Sequence, residues 1–413
     1  MKRIAKISYG LLFISCVLLP FSYQLSTIGC IAFSVLATIH GILNNKHKKR
    51  LLNKADLALP WLLFLIPVIG LAYTSYIQEA IDRIVKYLPY LIFSLGYFFS
   101  DKSIKEEAQK HIRLGLIVGV SGTFIFLFWS LFFGQLTEAP STLKELFSYK
   151  HTYRNFIKPL DTHTTYLGLL ALMANMFIYN SNFKWYGKFA LLALNFFGLL
   201  FMASKAIMGL YVIQFISLFF FLKSKKLKWA MLLIGVAVIG IIAYLYKYKL
   251  RDVYFLQRIS KEIVWDFDSS NVGTSVNGKT NDDSRFARWS AILEETKEKP
   301  LFGYGAGSEE ATLRKIHNEY GMLESLKRNY NTHNQYLYFI LEMGLWGFLI
   351  FVYFFASNIF LAIKTKNYEI TFLIVSLLLI SFVENYFNRT MGVLAVALFF
   401  TFLKKNEENS LNI

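Results

Sequence analysis

A succession of long apolar runs constrains this chain more than anything else in it. Several runs approach the roughly 20 residues that carry a helix across a bilayer. In hydrocarbon, backbone N–H and C=O groups have no water to bond. Runs of this kind therefore fold as helices that satisfy their own backbone. The composition agrees: of 413 residues, 55% are hydrophobic and only 17% charged, well below the roughly one quarter charged of soluble domains. Disordered chains, collagens and coiled coils are excluded by the same balance. The abundant Phe and Tyr read as lipid-facing and core helix surfaces, not as cofactor boxes. Function is to be sought in the polar exceptions.

The expected fold class is an all-α polytopic membrane protein with about 12 transmembrane helices and one long helical outer loop. The spans are placed at residues 4–22, 25–43, 57–76, 84–100, 113–133, 164–180, 186–203, 205–222, 229–246, 334–362, 369–385 and 391–403. Residues 334–362 are read as one long tilted helix. Lys and Arg exceed Asp and Glu by 44 to 27, a net charge of +17. That excess concentrates in loops 44–56, 101–112, 181–185, 223–228 and 363–368 and in the C-terminal tail. By the positive-inside rule these loops face the cytoplasm, and no nucleic-acid partner is needed to explain the charge. Cys16 and Cys30 lie in apolar runs and form neither a metal pattern nor a disulfide framework. Met1-Lys2-Arg3 before an apolar run reads as an uncleaved first helix, not a cleavable signal.

Three regions follow: an N-terminal bundle of about nine spans over 1–246, a large outer loop over 247–333, and the C-terminal spans with a short inner tail over 334–413. A second outer loop lies near 134–163. Within the large loop, Ser284 is placed to cap a helix running through Trp289, Ile292 and Leu293 towards Pro300, and a shorter helix is expected over Ser308–Ile316. Ser269–Asp283 is polar and rich in Gly and Asn, and is expected as a mobile strip.

On this topology the polar exceptions gather on the outer side. His163 and Tyr166 open the sixth span, Lys205 sits in the turn between spans seven and eight, and Arg285 and Arg288 open the loop helix. His333 and Asn334 begin the tenth span, and Glu384 and Arg389 flank the last outer turn. Ionisable groups next to hydrocarbon are expensive and mark function. Each has a bland alternative. Lys205 and Arg389 snorkel, His333 caps a helix, Arg285 and Arg288 pair with Asp282, Asp283 or Glu294, and Glu384 pairs with Arg389. Together, several cations and two histidines on one surface form an anion site. Gly303-Tyr304-Gly305-Ala306-Gly307-Ser308 is neither a P-loop nor a dinucleotide fingerprint, and reads as a tight turn. Asp266-Phe267-Asp268 imitates a metal-binding acidic pair but has no nucleotide supply in an outer loop. The sequon Asn388-Arg389-Thr390 lies in a tight membrane turn and is set aside.

His333-Asn334, nine residues, then Gly344-Leu345-Trp346-Gly347 resembles the signature of bacterial O-antigen ligases, and Arg285-x-x-x-Trp289 with Pro300-Leu301-Phe302-Gly303-Tyr304-Gly305 resembles their outer-loop stretch. The family also holds polysaccharide polymerases and some protein O-oligosaccharyltransferases. The resemblance covers about residues 200–400. His163-Thr164-Thr165-Tyr166 is similar to a His-x-x-Tyr element of some members, and Glu384…Arg389…Gly392 to their final outer turn. Ser204-Lys205 departs from the usual Ser-Arg: lysine keeps the charge and loses the bidentate fork.

The resemblance implies a membrane glycosyltransferase of lipopolysaccharide biosynthesis in the bacterial inner membrane, with its active face periplasmic. Its donor is a glycan on undecaprenyl diphosphate and its acceptor a glycolipid or glycan hydroxyl, lipid A-core first among them. His333 and Arg285 are then the catalytic candidates. Lys205, Arg285, Arg288 and Arg389 hold the diphosphate, and His163, Tyr166, Asn334 and Glu384 support the site or its acceptor. No metal or cofactor is implied. Ligation, repeat polymerisation and protein glycosylation differ only in acceptor and stay open, with acceptor choice expected in 134–163 and 269–283. A polysaccharide or lipid-linked oligosaccharide transporter is the alternative of another class. Its ionisable groups belong nearer the bilayer midplane.

Overall fold

The computed structural model describes residues 2–43, 55–100, 102–133, 140–160, 162–221 and 279–404, with short pieces between 240 and 276. The span expected at 229–246 lies outside the described residues apart from position 240. So do most of the basic loop 44–56, the 223–228 cluster, Lys405 and Asp268. The chain forms two compact units: Met1–Gly119 with Trp265–Ile413, and Val120–Val264.

In order, the helices are α1 (Lys2–Leu18), α2 (Tyr23–Leu43), α3 (Ala55–Leu71), α4 (Ile77–Phe99), α5 (Lys102–Phe133), the one-turn α6 (Leu143–Leu146), α7 (Thr164–Asn180), α8 (Trp185–Met202) and α9 (Lys205–Phe221). After a hairpin of β1 (Thr274–Val276) and β2 (Lys279–Asp282) come α10 (Arg285–Thr296), α11 (Glu309–Glu319), α12 (Leu323–Lys327), α13 (Gln335–Lys364), α14 (Tyr368–Ile380) and α15 (Thr390–Phe402). Four of these, α2, α5, α8 and α13, are long and apolar enough to cross a membrane, and five shorter apolar helices accompany them. This is a multi-pass membrane protein.

Three expectations are corrected. Residues 102–112, expected as a loop, are the first turns of the 32-residue α5; their Lys and Glu residues are good helix formers, so polarity does not stop the helix. The polar strip 269–283 carries a short antiparallel ribbon pairing Thr274 with Asp282 and Val276 with Lys279, within an otherwise helical architecture. Helix α13 is not continuous: Gly344 has φ 67° and ψ −163°, and breaks it.

In the first unit α1, α2, α3, α4 and α15 pack together, and α13 lies against α3. Small residues permit the approach: a Cβ on Gly96 of α4 would stand 3.0 Å from the Ser34 Cα of α2. In the same unit α10, α11 and α13 share a core of Ala287, Ala291, Ile292, Leu313, Ile316, Met322, Leu337 and Leu341. In the second unit α7, α8 and α9 are joined by a buried amide chain. Asn195 donates to Asn175 at 2.8 Å, Asn175 to Gln214 at 3.3 Å, and Gln214 to the Leu172 carbonyl at 2.8 Å. Amide bonds between membrane helices contribute about 0.6 kcal/mol each.

Candidate functional site

The site in the first unit begins with α10. Ser284 accepts from the Ala287 N–H at 3.0 Å, the cap its sequence position predicts and a device of about 1 kcal/mol. The helix then buries Ala287, Arg288, Ala291, Ile292 and Glu295 on one face. Arg288 is on that face by spacing, since residues three and four apart share a side. It is thus drawn into the interior along with the alanines. Arg285, three residues earlier, stays partly exposed. Its Nη1 donates to the Val383 carbonyl at 3.3 Å and its Nε stands 3.8 Å from Asp266.

His333 is presented by a turn whose neighbours are all held. Thr332 gives its carbonyl to the Trp289 indole N–H at 2.9 Å, which ties the turn to α10. His333 itself has φ 45°, a left-handed conformation that side-chain-bearing residues adopt only when their surroundings impose it. Asn334, not His333, caps α13, accepting from the Tyr336 and Leu337 N–H groups at 3.0 and 3.2 Å. The Gln335 side chain accepts from the Phe387 N–H at 2.8 Å, linking the turn to the segment before α15.

Across from this turn, Glu384 Oε2 is 3.7 Å from His333 Nδ1. A fifth of the imidazole is exposed, and Tyr330 lies edge-on at 5.9 Å between ring centres. Burial holds the imidazole below its ordinary value; Glu384 pulls it upward, while Arg288 and Arg285 push it further down. At neutral pH the ring is therefore neutral and able to accept a proton.

Arg288 is 6% exposed, and neither Nε nor Nη1 has a hydrogen-bond partner among the described residues. Its guanidinium stacks 4.7 Å from the Tyr330 ring. Burial and then the like charge of Arg285 push its pKa down to about 10, so it stays charged at neutral pH. A buried cation without hydrogen-bond acceptors is costly. An anion placed against Arg288 would relieve that cost.

The remaining site residues divide. Arg389 is the N-cap residue of α15 and is exposed, and among the described residues no hydrogen bond or ion pair joins it to His333. In the second unit, His163 caps α7, its Nδ1 accepting from the Thr165 N–H at 3.3 Å, with the buried Tyr166 ring edge-on at 6.0 Å. Lys205 opens α9 two residues after Ala203, whose φ of 45° ends α8 and makes the tight turn possible.

Sequence reasoning missed a buried polar cluster under the His333 turn: Arg83, Glu309, Glu342, Asn385 and Asn388. Its members are far apart in the chain and carry no local motif. It also missed His317, which is 2% exposed and pushed down to about 4, first by burial and then by Arg288.

The glycine-rich segment is a structural clamp. Where α13 breaks, the Tyr304 and Gly305 N–H groups donate to the Leu341 and Glu342 carbonyls at 2.9 and 2.7 Å, and the Leu345 N–H donates to the Pro300 carbonyl at 2.9 Å. The segment repairs the backbone bonds that Gly344 interrupts, and two of its own N–H groups are thereby committed to protein.

A family model described as O-Antigen ligase matches residues 189–352. An uncharacterised protein of Haemophilus influenzae is 28% identical over 159 residues, which is 38% of this chain and 38% of that relative. The matched family stretch holds Lys205, Arg285, Arg288, His333, Asn334 and both signature glycines. The chain is O-antigen ligase-like over residues 189–352, in agreement with its His333–Gly347 signature.

Proposed function

We propose that this protein transfers a glycan from undecaprenyl diphosphate to an acceptor hydroxyl at the periplasmic face of a bacterial inner membrane. The observation that carries this reading is Arg288, a buried cation whose Nε and Nη1 have no hydrogen-bond acceptor among the described residues, next to Arg285 and to a histidine kept neutral. Such a site takes an anion and offers a base beside it. A glycosyl diphosphate supplies the anion and a sugar hydroxyl supplies the proton.

In the proposed step the acceptor O–H gives its proton to His333. With Nδ1 turned to Glu384, Nε2 is the nitrogen that receives it, and the carboxylate stabilises the imidazolium that forms. The acceptor oxygen bonds to the anomeric carbon as the bond from that carbon to the diphosphate oxygen breaks. Undecaprenyl diphosphate leaves with the electron pair, and a single displacement inverts the configuration. Arg285 and Arg288 take up the charge on the leaving diphosphate, the part a metal ion plays in other transferases. Lys205 and Arg389 are further donor-binding cations on the strength of the resemblance, and His163, Tyr166 and Asn334 are supporting residues. Of the possible acceptors we favour lipid A-core. A repeat polymerase or protein oligosaccharyltransferase uses the same chemistry on another hydroxyl.

The test is deletion of the gene, with polysaccharide and lipid-linked intermediates separated by gel, and complementation by wild type or His333→Ala. Full-length chains retained on the lipid carrier and missing from surface glycolipid identify a ligase, and His333→Ala fails to restore them. Single repeats still reaching lipid A-core identify a polymerase. An unchanged pattern in both fractions overturns glycan transfer in this pathway and brings the transporter forward. Lys205→Met is expected to cripple transfer and Lys205→Arg to keep or raise it. A lysine that merely snorkels tolerates both.

A further inference from the structure

His333 and Glu384 sit on two turns about 50 residues apart in the chain, and their relative placement needs a tie. The two residues touch at 3.7 Å, too long for a firm hydrogen bond. What joins the turns lies one residue away on each side. Glu309 Oε1 accepts from the Thr332 N–H at 3.1 Å and the Thr332 hydroxyl at 3.0 Å, and from the Asn385 amide at 2.8 Å. Thr332 precedes His333, and Asn385 follows Glu384. The same Asn385 amide reaches the Thr332 hydroxyl at 2.5 Å. Glu309 Oε2 accepts from the Asn388 amide at 2.6 Å, and Asn388 Oδ1 accepts from Arg83. Arg83 also pairs with Glu342 at 3.3 Å, and Glu342 accepts from the Glu309 N–H at 3.2 Å and the Tyr338 hydroxyl at 2.6 Å.

We propose that Glu309 is a positioning residue for the His333–Glu384 pair, its carboxylate fastening the turn of the base to the turn of the base's partner. The proposal rests on His333 being the base. Glu309 is 5% exposed. Burying a carboxylate is expensive, and well-packed apolar groups fill such space at least as well. Its bonds are not scattered over the fold: three of the four side-chain bonds go to the two residues flanking the pair. Nor is glutamine an equivalent. Both oxygens accept, so an amide would set one NH2 against a donor, and Asn388 cannot turn to receive it without facing its own NH2 towards Arg83. Aspartate is one methylene too short to reach both turns from α11.

The experiment measures initial transfer rates, in membranes from the complemented deletion strain with its own lipid-linked glycan, over about pH 5 to 9. The charged and titratable groups facing His333 are Glu384 and Tyr330 and, from α10, Arg285 and Arg288. Glu384→Gln removes the upward pull on the imidazole, so it lowers the rate and moves the acid limb to lower pH. Glu309→Gln is expected to move the limb the same way and to lower the rate at least about tenfold. The double variant should match Glu384→Gln alone within about twofold, because an absent partner needs no positioning. Multiplying losses, or a loss with the acid limb unmoved, overturns the proposal and leaves Glu309 a structural residue. If Glu309→Gln does not reach the membrane, Asn385→Ala cuts one arm of the tie and is held to the same two criteria. An unaltered rate and limb in Glu384→Gln, with His333→Ala inactive, overturns the pair and the proposal while the base reading stands. Activity in His333→Ala overturns both.

Discussion

Burial sets the chemistry of the individual side chains at this site. His333 is held below the ordinary histidine value of about 6.5, so the acid midpoint of transfer should lie below that pH. A pH–rate profile with its acid midpoint at or above about 6.5 would contradict an imidazole held down by burial and the two arginines. His317 is shifted the same way and bears on stability. Its folded value of about 4 lies below the unfolded one, so the unfolded chain binds more protons between the two. Stability is therefore present above about pH 6.5 and lost as the pH falls towards 4. His317→Asn is expected to flatten that slope in thermal melts of detergent-solubilised protein, without moving the acid limb of transfer. Arg288→Gln removes a buried charge whose Nε and Nη1 have no acceptor among the described residues. It should lose transfer by at least about a hundredfold while melting no lower than wild type, because the desolvation cost leaves with the charge.

The break in α13 turns on two facing glycines. A Cβ on Gly344 would meet the Leu301 carbonyl oxygen at 2.3 Å, and one on Gly303 would meet Gly344 N and Leu341 O at 2.6 Å; both have positive φ. Gly303→Ala is expected to destabilise by at least about 2 kcal/mol, from left-handed strain and backbone overlap together. It should lower the melting temperature by several degrees and transfer with it. Gly209→Ala in α9 meets nothing within 4 Å and should melt like wild type. The spacing between His333 and Gly344 has a physical reading on this geometry. It sets the length of α13 between the turn that presents the histidine and the break that the 300–305 segment clamps.

The Lys and Arg distribution predicts one orientation for the whole molecule. With basic loops inward, Ser224→Cys should react with a membrane-impermeant maleimide only after permeabilisation, and Tyr320→Cys, at a position 44% exposed, in intact cells. The native Cys16 and Cys30 are buried and should stay silent. Labelling of both new cysteines from one side would contradict the orientation. Helix bounds are readable along the chain, because apolar run length acts locally: α7, α8 and α9 begin and end within a residue of their expected bounds. The Ser284 cap was readable for the same reason, as a motif contained in a short window. The roles of the site residues were not. His163 turned out to cap α7, Asn334 rather than His333 caps α13, and Arg285 meets Asp266 instead of its nearer acidic neighbours. Glu309, Arg83, Glu342 and His317 carry no pattern of their own; each matters through partners up to 305 positions away, as with Arg83 and Asn388. Periodicity, charge and caps are written in neighbouring residues and so determine spans and turns. The choice of which charge is buried, and against what, arises only when distant segments close over it and exclude water.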